Sequence, residues 1–239
     1  MIDAMREEFR VLRPEEIGVT KWNIKGKEYM DIMKKLEKII LHQKEYGISD
    51  GIKGFIFYGD VGVGKTTLAK AIAHDLNSTL IFVDGSDIAR PLYGQSESQI
   101  ANVFKAARKF RHSIILIDDC ESVFPSRDWI KGESWHVAQN NVFFHELDNI
   151  DTSKTIVILT TNRYDLLDKA VKDRLLSIEF PKPSMETLLE IAREKMRKLG
   201  MKNLNTIEEE IKREKFDSIR SLEKRIIERY VEEIIREEI

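Results

Sequence analysis

The chain has 239 residues, 42% of them hydrophobic, enough for one sizeable core and a smaller satellite unit. Lysine plus arginine (39) nearly balances aspartate plus glutamate (41), giving a formal net charge of -2. That excludes a global basic field for nucleic acid and leaves only a local patch open. The single cysteine, Cys120, excludes an intramolecular disulfide framework and suits a reducing compartment. No apolar run reaches the roughly 20 residues of a membrane span, and Met1 to Arg13 lacks a signal-peptide core, so a cytoplasmic chain without membrane insertion is expected.

In chain order, Tyr29, Ile32, Met33, Leu36, Ile39 and Ile40 recur at helical spacing and predict a helix over 27–46. Short apolar runs follow at Phe55–Tyr58, Leu80–Val83, Ile114–Ile117 and Ile156–Leu159, with a weaker fifth at Ile178–Phe180. Between them lie two helical faces, one of Ile100, Val103, Phe104 and Ala107, the other of Phe143, Leu147 and Ile150. Strands apolar on both faces and separated by helices predict an α/β fold, a parallel five-stranded sheet flanked by helices. After Pro181-Lys182-Pro183 the strand pattern stops. Three charged amphipathic helices are expected there, one from Ser184 to a stop at Gly200, one from Thr206 and one from Asp217. The expected organisation is an N-terminal segment and helix over 1–50, an α/β domain over 51–181 and a small helical unit over 182–239.

Gly59-Asp60-Val61-Gly62-Val63-Gly64-Lys65-Thr66 fits G-x-x-x-x-G-K-[ST], with a predicted strand entering and a helix leaving. Glycines let the main chain wrap close to phosphates, and successive N–H groups and the helix N-terminus bind the anionic oxygens. Lys65 would then place a charge at the β and γ phosphates of ATP and Thr66 a hydroxyl on Mg2+, with Thr67 beside them in the first helical turn. Asp118 and Asp119 end the apolar run 114–117. Asp118 is a candidate for the magnesium shell through bound water, and Asp119 for polarising an attacking water; a plain helix cap is the alternative for each.

With these residues, Tyr93-Gly94-Gln95-Ser96-Glu97, Ile117-Asp118-Asp119 and Thr160-Thr161-Asn162-Arg163-Tyr164-Asp165-Leu166-Leu167-Asp168 occur in one order and spacing. In this the chain resembles the AAA+ ATPase superfamily, and within it the AAA clade of ring-forming remodelling ATPases (a proteasomal-ATPase/Cdc48/Vps4-like module), over roughly residues 20 to 230. The resemblance implies a P-loop NTPase fold with a helical lid and a magnesium-dependent ATP hydrolase. It makes Asn162 the sensor amide near the γ-phosphate and Arg174 the arginine finger that reaches a neighbouring subunit's ATP. A turn asparagine and a solvated helix-end arginine are the plain alternatives. Arg220 falls where many AAA+ proteins carry a second sensor on the lid, although the AAA clade usually has a small residue there, and an ordinary surface arginine is the plain alternative. Trp22-Asn23-Ile24-Lys25-Gly26 resembles the segment that cradles adenine, one residue short.

Three departures bear on activity. Asp119 stands where the family carries glutamate, which leaves open slow turnover or a nucleotide-gated scaffold. Tyr93 is one residue displaced from the aromatic that grips substrate, so it is a candidate for a protein-substrate contact or for the core. Asp173 occupies a site that often holds a second finger. The expected function is ATP hydrolysis coupled to unfolding, threading or disassembly of a protein substrate by a homo-oligomeric ring, expected to be a hexamer. A nucleic-acid loader or initiator is the less favoured alternative. With about 20 residues ahead of the family-like region, no dedicated recognition domain is expected. Cys120 is expected to be a small buried thiol, His136 and His145 share no metal-binding helix face, and Trp22, Trp129 and Trp135 lack interleaved basic residues.

Overall fold

The computed structural model describes residues 9–88, 95–126, 135–201, 204–213 and 216–237. In chain order the elements are β1 (Arg10–Leu12), α1 (Lys27–Glu45), β2 (Gly54–Tyr58), α2 (Lys65–Asp75), β3 (Thr79–Asp84), α3 (Gly85–Ile88), α4 (Gln95–Ala107), β4 (Ser113–Asp118), α5 (Trp135–Asp148), β5 (Thr155–Thr161), α6 (Lys169–Arg174), β6 (Leu176–Glu179), α7 (Met185–Leu199), α8 (Leu204–Arg213) and α9 (Ile219–Glu237).

The strands form one sheet in the order β1-β3-β4-β5-β2-β6. All the neighbouring pairs are parallel except β1 with β3. The five predicted strands are therefore present and joined by a sixth, a correction to the five-stranded expectation. Arg10, Val11 and Leu12 run antiparallel to Phe82, Ile81 and Leu80 at the sheet edge. Three residues are too few to establish a period-2 pattern, so only the pairing reveals this strand.

The pleat sends alternate β2 residues to opposite layers. Phe55 and Phe57 pack with Leu36, Leu68 and Ile72 from α1 and α2. Ile56 faces the other way, in a cluster with Phe104 of α4 and Phe143 and Leu147 of α5. Both layers exclude water, and Phe55, Ile56 and Phe57 are each 0% exposed. This is why the strands read as unbroken apolar runs.

The C-terminal helices have a small core of their own, built from Leu188, Ala192, Met196, Ile207, Ile211, Leu222 and Ile226. Helix α7 begins where the Ser184 hydroxyl accepts a hydrogen bond from the Thr187 amide, and it stops at Gly200, whose φ of 70° is left-handed. Polar contacts fix this unit to the body. The Glu28 carboxylate accepts from the Ser184 amide at 3.0 Å and the Thr187 hydroxyl at 2.7 Å. The Tyr29 hydroxyl donates to the Pro181 carbonyl at 2.9 Å, and Lys25 pairs with Glu194 at 2.8 Å. Helix α7 is thereby held over the chain that precedes α1, closing one side of a cleft. Among the described residues no helix is long and apolar enough to cross a membrane.

Candidate nucleotide site

The cleft lies beyond the carboxyl ends of β2, β4 and β5, where the sheet order reverses direction, the usual place for a ligand in an open α/β sheet. A cavity of about 500 Å³ opens there. Its floor is the loop between β2 and α2, which contributes Val61, Gly62, Val63, Gly64, Lys65, Thr66 and Thr67. Gly62 and Gly64 have φ of 76° and 96°, the left-handed region that glycine enters without penalty. A methyl group on Gly62 would also lie 2.6 Å from the Arg220 Cβ.

Lys65 is only 6% exposed. Its ammonium donates to the carbonyls of Gly59 and Asp60, each at 2.8 Å, and to Asn162 Oδ1 at 2.7 Å. Burial pulls its pKa below the ordinary lysine value, opposed by the carboxylates of Asp119 and Asp118. Gly59 and Asp60 thus reach the site through their carbonyls, while the Asp60 carboxylate pairs with Lys182 at 3.4 Å.

The Thr66 hydroxyl donates to Asp118 Oδ1 at 2.7 Å. Asp119 takes a left-handed backbone (φ 49°, ψ 49°), uncommon for any residue but glycine and most tolerated by Asn and Asp. Its carboxylate accepts from Asn162 Nδ2 at 3.0 Å. Burial raises the Asp119 pKa above the ordinary aspartate value, reinforced by the Asp118, Glu121 and Asp84 carboxylates and opposed by Lys65. Asn162 therefore bridges Lys65 and Asp119, and the amide, the ammonium and the carboxylate form one chain of hydrogen bonds.

Thr66, Asp118 and Asp119 all line the cavity. No group of three or more His, Cys, Asp or Glu among the described residues could cage a metal by itself. Magnesium rarely needs such a cage, since it keeps several waters and takes one or two protein oxygens plus substrate phosphates. A hydroxyl and two carboxylates beside a phosphate-shaped loop fit that requirement.

Other expected residues distribute unevenly. Asn23, Ile24 and Lys25 line the cavity, while Trp22 points away and is 75% exposed. Arg220 lines it from the start of α9, and its amide donates to the Gly62 carbonyl at 3.3 Å. Arg174 does not belong to the cavity. Its guanidinium lies 4.2 Å from the Phe144 ring, donates to the Ala170 carbonyl at 3.2 Å and faces Asp148 at 3.8 Å. Tyr93, Gly94 and Trp129 lie outside the described residues, as do the side chains of Trp135 and His136. Cys120 is fully buried, and that burial pushes its thiol well up.

Sequence reasoning misses two features of this site. Thr160, buried at 1% exposure, hydrogen-bonds both Asp118 and Asp119. The ion pairs of Glu194 with Lys25 and Glu223 with Lys195 rim the cavity, bringing together residues 169 and 28 positions apart. A threonine inside a β-branched strand run carries no local signal, and such distant pairs have none before the fold is known.

The sheet order, with this glycine loop between a central strand and its helix, defines a P-loop NTPase fold. Residues 55–182 match the ATPase family associated with various cellular activities (AAA), and the chain belongs to that family. It is 34% identical over 204 residues to the proteasome-activating nucleotidase of Pyrococcus abyssi, covering 80% of this chain and 51% of that protein. To the 26S proteasome regulatory subunit 8 homolog of Saccharomyces cerevisiae it is 36% identical over 157 residues, 62% of this chain and 38% of the relative. The proteasome-activating nucleotidase of Pyrococcus horikoshii is 33% identical over 204 residues, 80% of this chain and 50% of that protein. The chain thus spans about two fifths to half the length of these relatives.

Proposed function

We propose that the chain binds Mg-ATP in the cleft, hydrolyses it within a cytoplasmic homo-oligomeric ring of six subunits, and uses the cycle to unfold, thread or disassemble a protein substrate. The observation that carries this reading is the division of the site. Lys65, Thr66, Asp118, Asp119 and Asn162 converge on one cavity, while Arg174 stands outside it. An arginine that stands outside its own chain's cavity supports a site completed by a neighbour.

In this reading the amides of 59–66 and the Lys65 ammonium bind the β and γ phosphates. Magnesium, when bound, neutralises phosphate charge. Thr66 and Asp118 would hold it, the aspartate through water. Asp119, its basicity raised by burial, accepts a proton from the attacking water while the Asn162 amide fixes its carboxylate. Arg174 of one subunit stabilises charge on the transferring phosphoryl group in the next. Arg220 follows the nucleotide state from α9, and the segment at Tyr93 contacts the substrate chain. Residues 182–239 act as the lid, and residues 51–181 as the nucleotide-binding body. Similarity to proteasomal ATPases supports a protein substrate, and the near-neutral charge disfavours nucleic acid.

A steady-state ATPase assay decides between substrate classes. The rate should rise severalfold with a permanently unfolded protein and stay flat with duplex or single-stranded DNA. Stimulation by DNA alone would transfer the chain to the loader class.

A further inference from the structure

We infer that Thr160 is a positioning residue that clamps both aspartates of the site, setting the direction of Asp119; this rests on the hydrolysis reading above. The Thr160 hydroxyl donates to Asp118 Oδ1, and its oxygen accepts the Asp119 amide at 3.3 Å. One buried hydroxyl thus ties a carboxylate at the end of β4 to the backbone of the next residue. The register makes this possible, because β4 and β5 pair in parallel with Ile117 beside Leu159, which brings Asp118 and Thr160 to adjacent ends.

The clamp answers two local demands. Asp119 has a left-handed backbone, a strained conformation that persists only when its surroundings over-determine it. Thr160 holds the amide on one side of that residue, and Asn162, two positions along the same chain, holds its carboxylate at 3.0 Å. Main chain and side chain of Asp119 are therefore both fixed from the end of β5. The second demand concerns Asp118 Oδ1, which accepts from Thr66 as well as Thr160. The Thr160 hydroxyl keeps that oxygen in place when the Thr66 hydroxyl turns to other duties.

The alternative is a buried hydroxyl that is merely satisfied by its neighbours. Thr160→Val removes the hydroxyl at nearly constant shape, and Thr160→Ser retains it. Three readouts on the full chain separate the readings: kcat and KM for ATP, ATP affinity, and hydrogen exchange of the Asp119 amide. The clamp predicts that Thr160→Val lowers kcat roughly 10–100-fold, the cost of a misplaced catalytic group. KM and ATP affinity should stay within about twofold, while the Asp119 amide exchanges roughly tenfold faster or more. Thr160→Ser should restore both the rate and the protection, with melting temperatures recorded to show that each variant is folded. Unchanged kcat and unchanged Asp119 protection in Thr160→Val, or a serine variant as slow as valine, overturns the clamp. A rise in KM with kcat constant overturns it as well. If the wild-type chain shows no turnover yet its Asp119 amide loses protection in Thr160→Val, the hydrolysis reading fails while the contact itself stands.

Discussion

Lys65→Ala should lower ATP affinity by roughly 100-fold or more and abolish measurable hydrolysis. A hydrogen bond to a charged group contributes about 1.5–3 kcal/mol, and a lysine serving two phosphates would lose about twice that; each 1.4 kcal/mol is tenfold. The ammonium is almost completely buried and points at two loop carbonyls and the Asn162 amide oxygen. Those three neutral oxygens solvate the ammonium by hydrogen bonds, and phosphates bound in the loop would take over that role. The substitution also strands the three acceptors, so the loop could relax. A melting curve beside the calorimetric titration separates these effects. Normal affinity in a folded Lys65→Ala chain would remove the lysine from the phosphate site.

Arg174→Ala should act differently. Affinity for ATP should be preserved to within a few-fold, because Arg174 does not line its own chain's cavity. Turnover should drop by ~1,000-fold or more, the range observed when an arginine finger is withheld. Within its own chain the guanidinium sits over Phe144 and opposite Asp148. Mixing the two variants gives a sharper outcome. Lys65→Ala subunits keep their arginine, and Arg174→Ala subunits keep their phosphate site, so mixed rings should recover part of the rate that neither variant has alone. Absence of recovery in a mixture that does co-assemble would place the function of Arg174 within its own chain.

Much of this arrangement is legible before any coordinates. The parallel strands announce themselves because both faces of β2, β4 and β5 are covered by helices, leaving no polar alternation to confuse the pattern. The glycine loop and the two aspartates are legible because phosphate chemistry demands particular residues at fixed spacing. Strand β1 is not legible, since three residues carry no period and its pairing with β3 spans 68 to 72 positions. The left-handed backbone of Asp119 and the hydroxyl of Thr160 escape notice for a related reason. Each acquires meaning only when the ends of β4 and β5 come side by side. Arg220 is the intermediate case. The family resemblance suggests a lid sensor there, and its place beside Gly62 comes from the packing of α9 over the loop.

An active site completed by a second copy of the chain requires the chain to assemble, so assembly in response to nucleotide tests it most directly. Sedimentation velocity of the intact chain at micromolar concentration, with and without magnesium and a slowly hydrolysed ATP analogue, reads this outcome. A shared site should give a shift to a particle of about six subunits when the analogue is bound. A monomer under both conditions, with the analogue demonstrably bound, would contradict the shared site and leave only the nucleotide pocket.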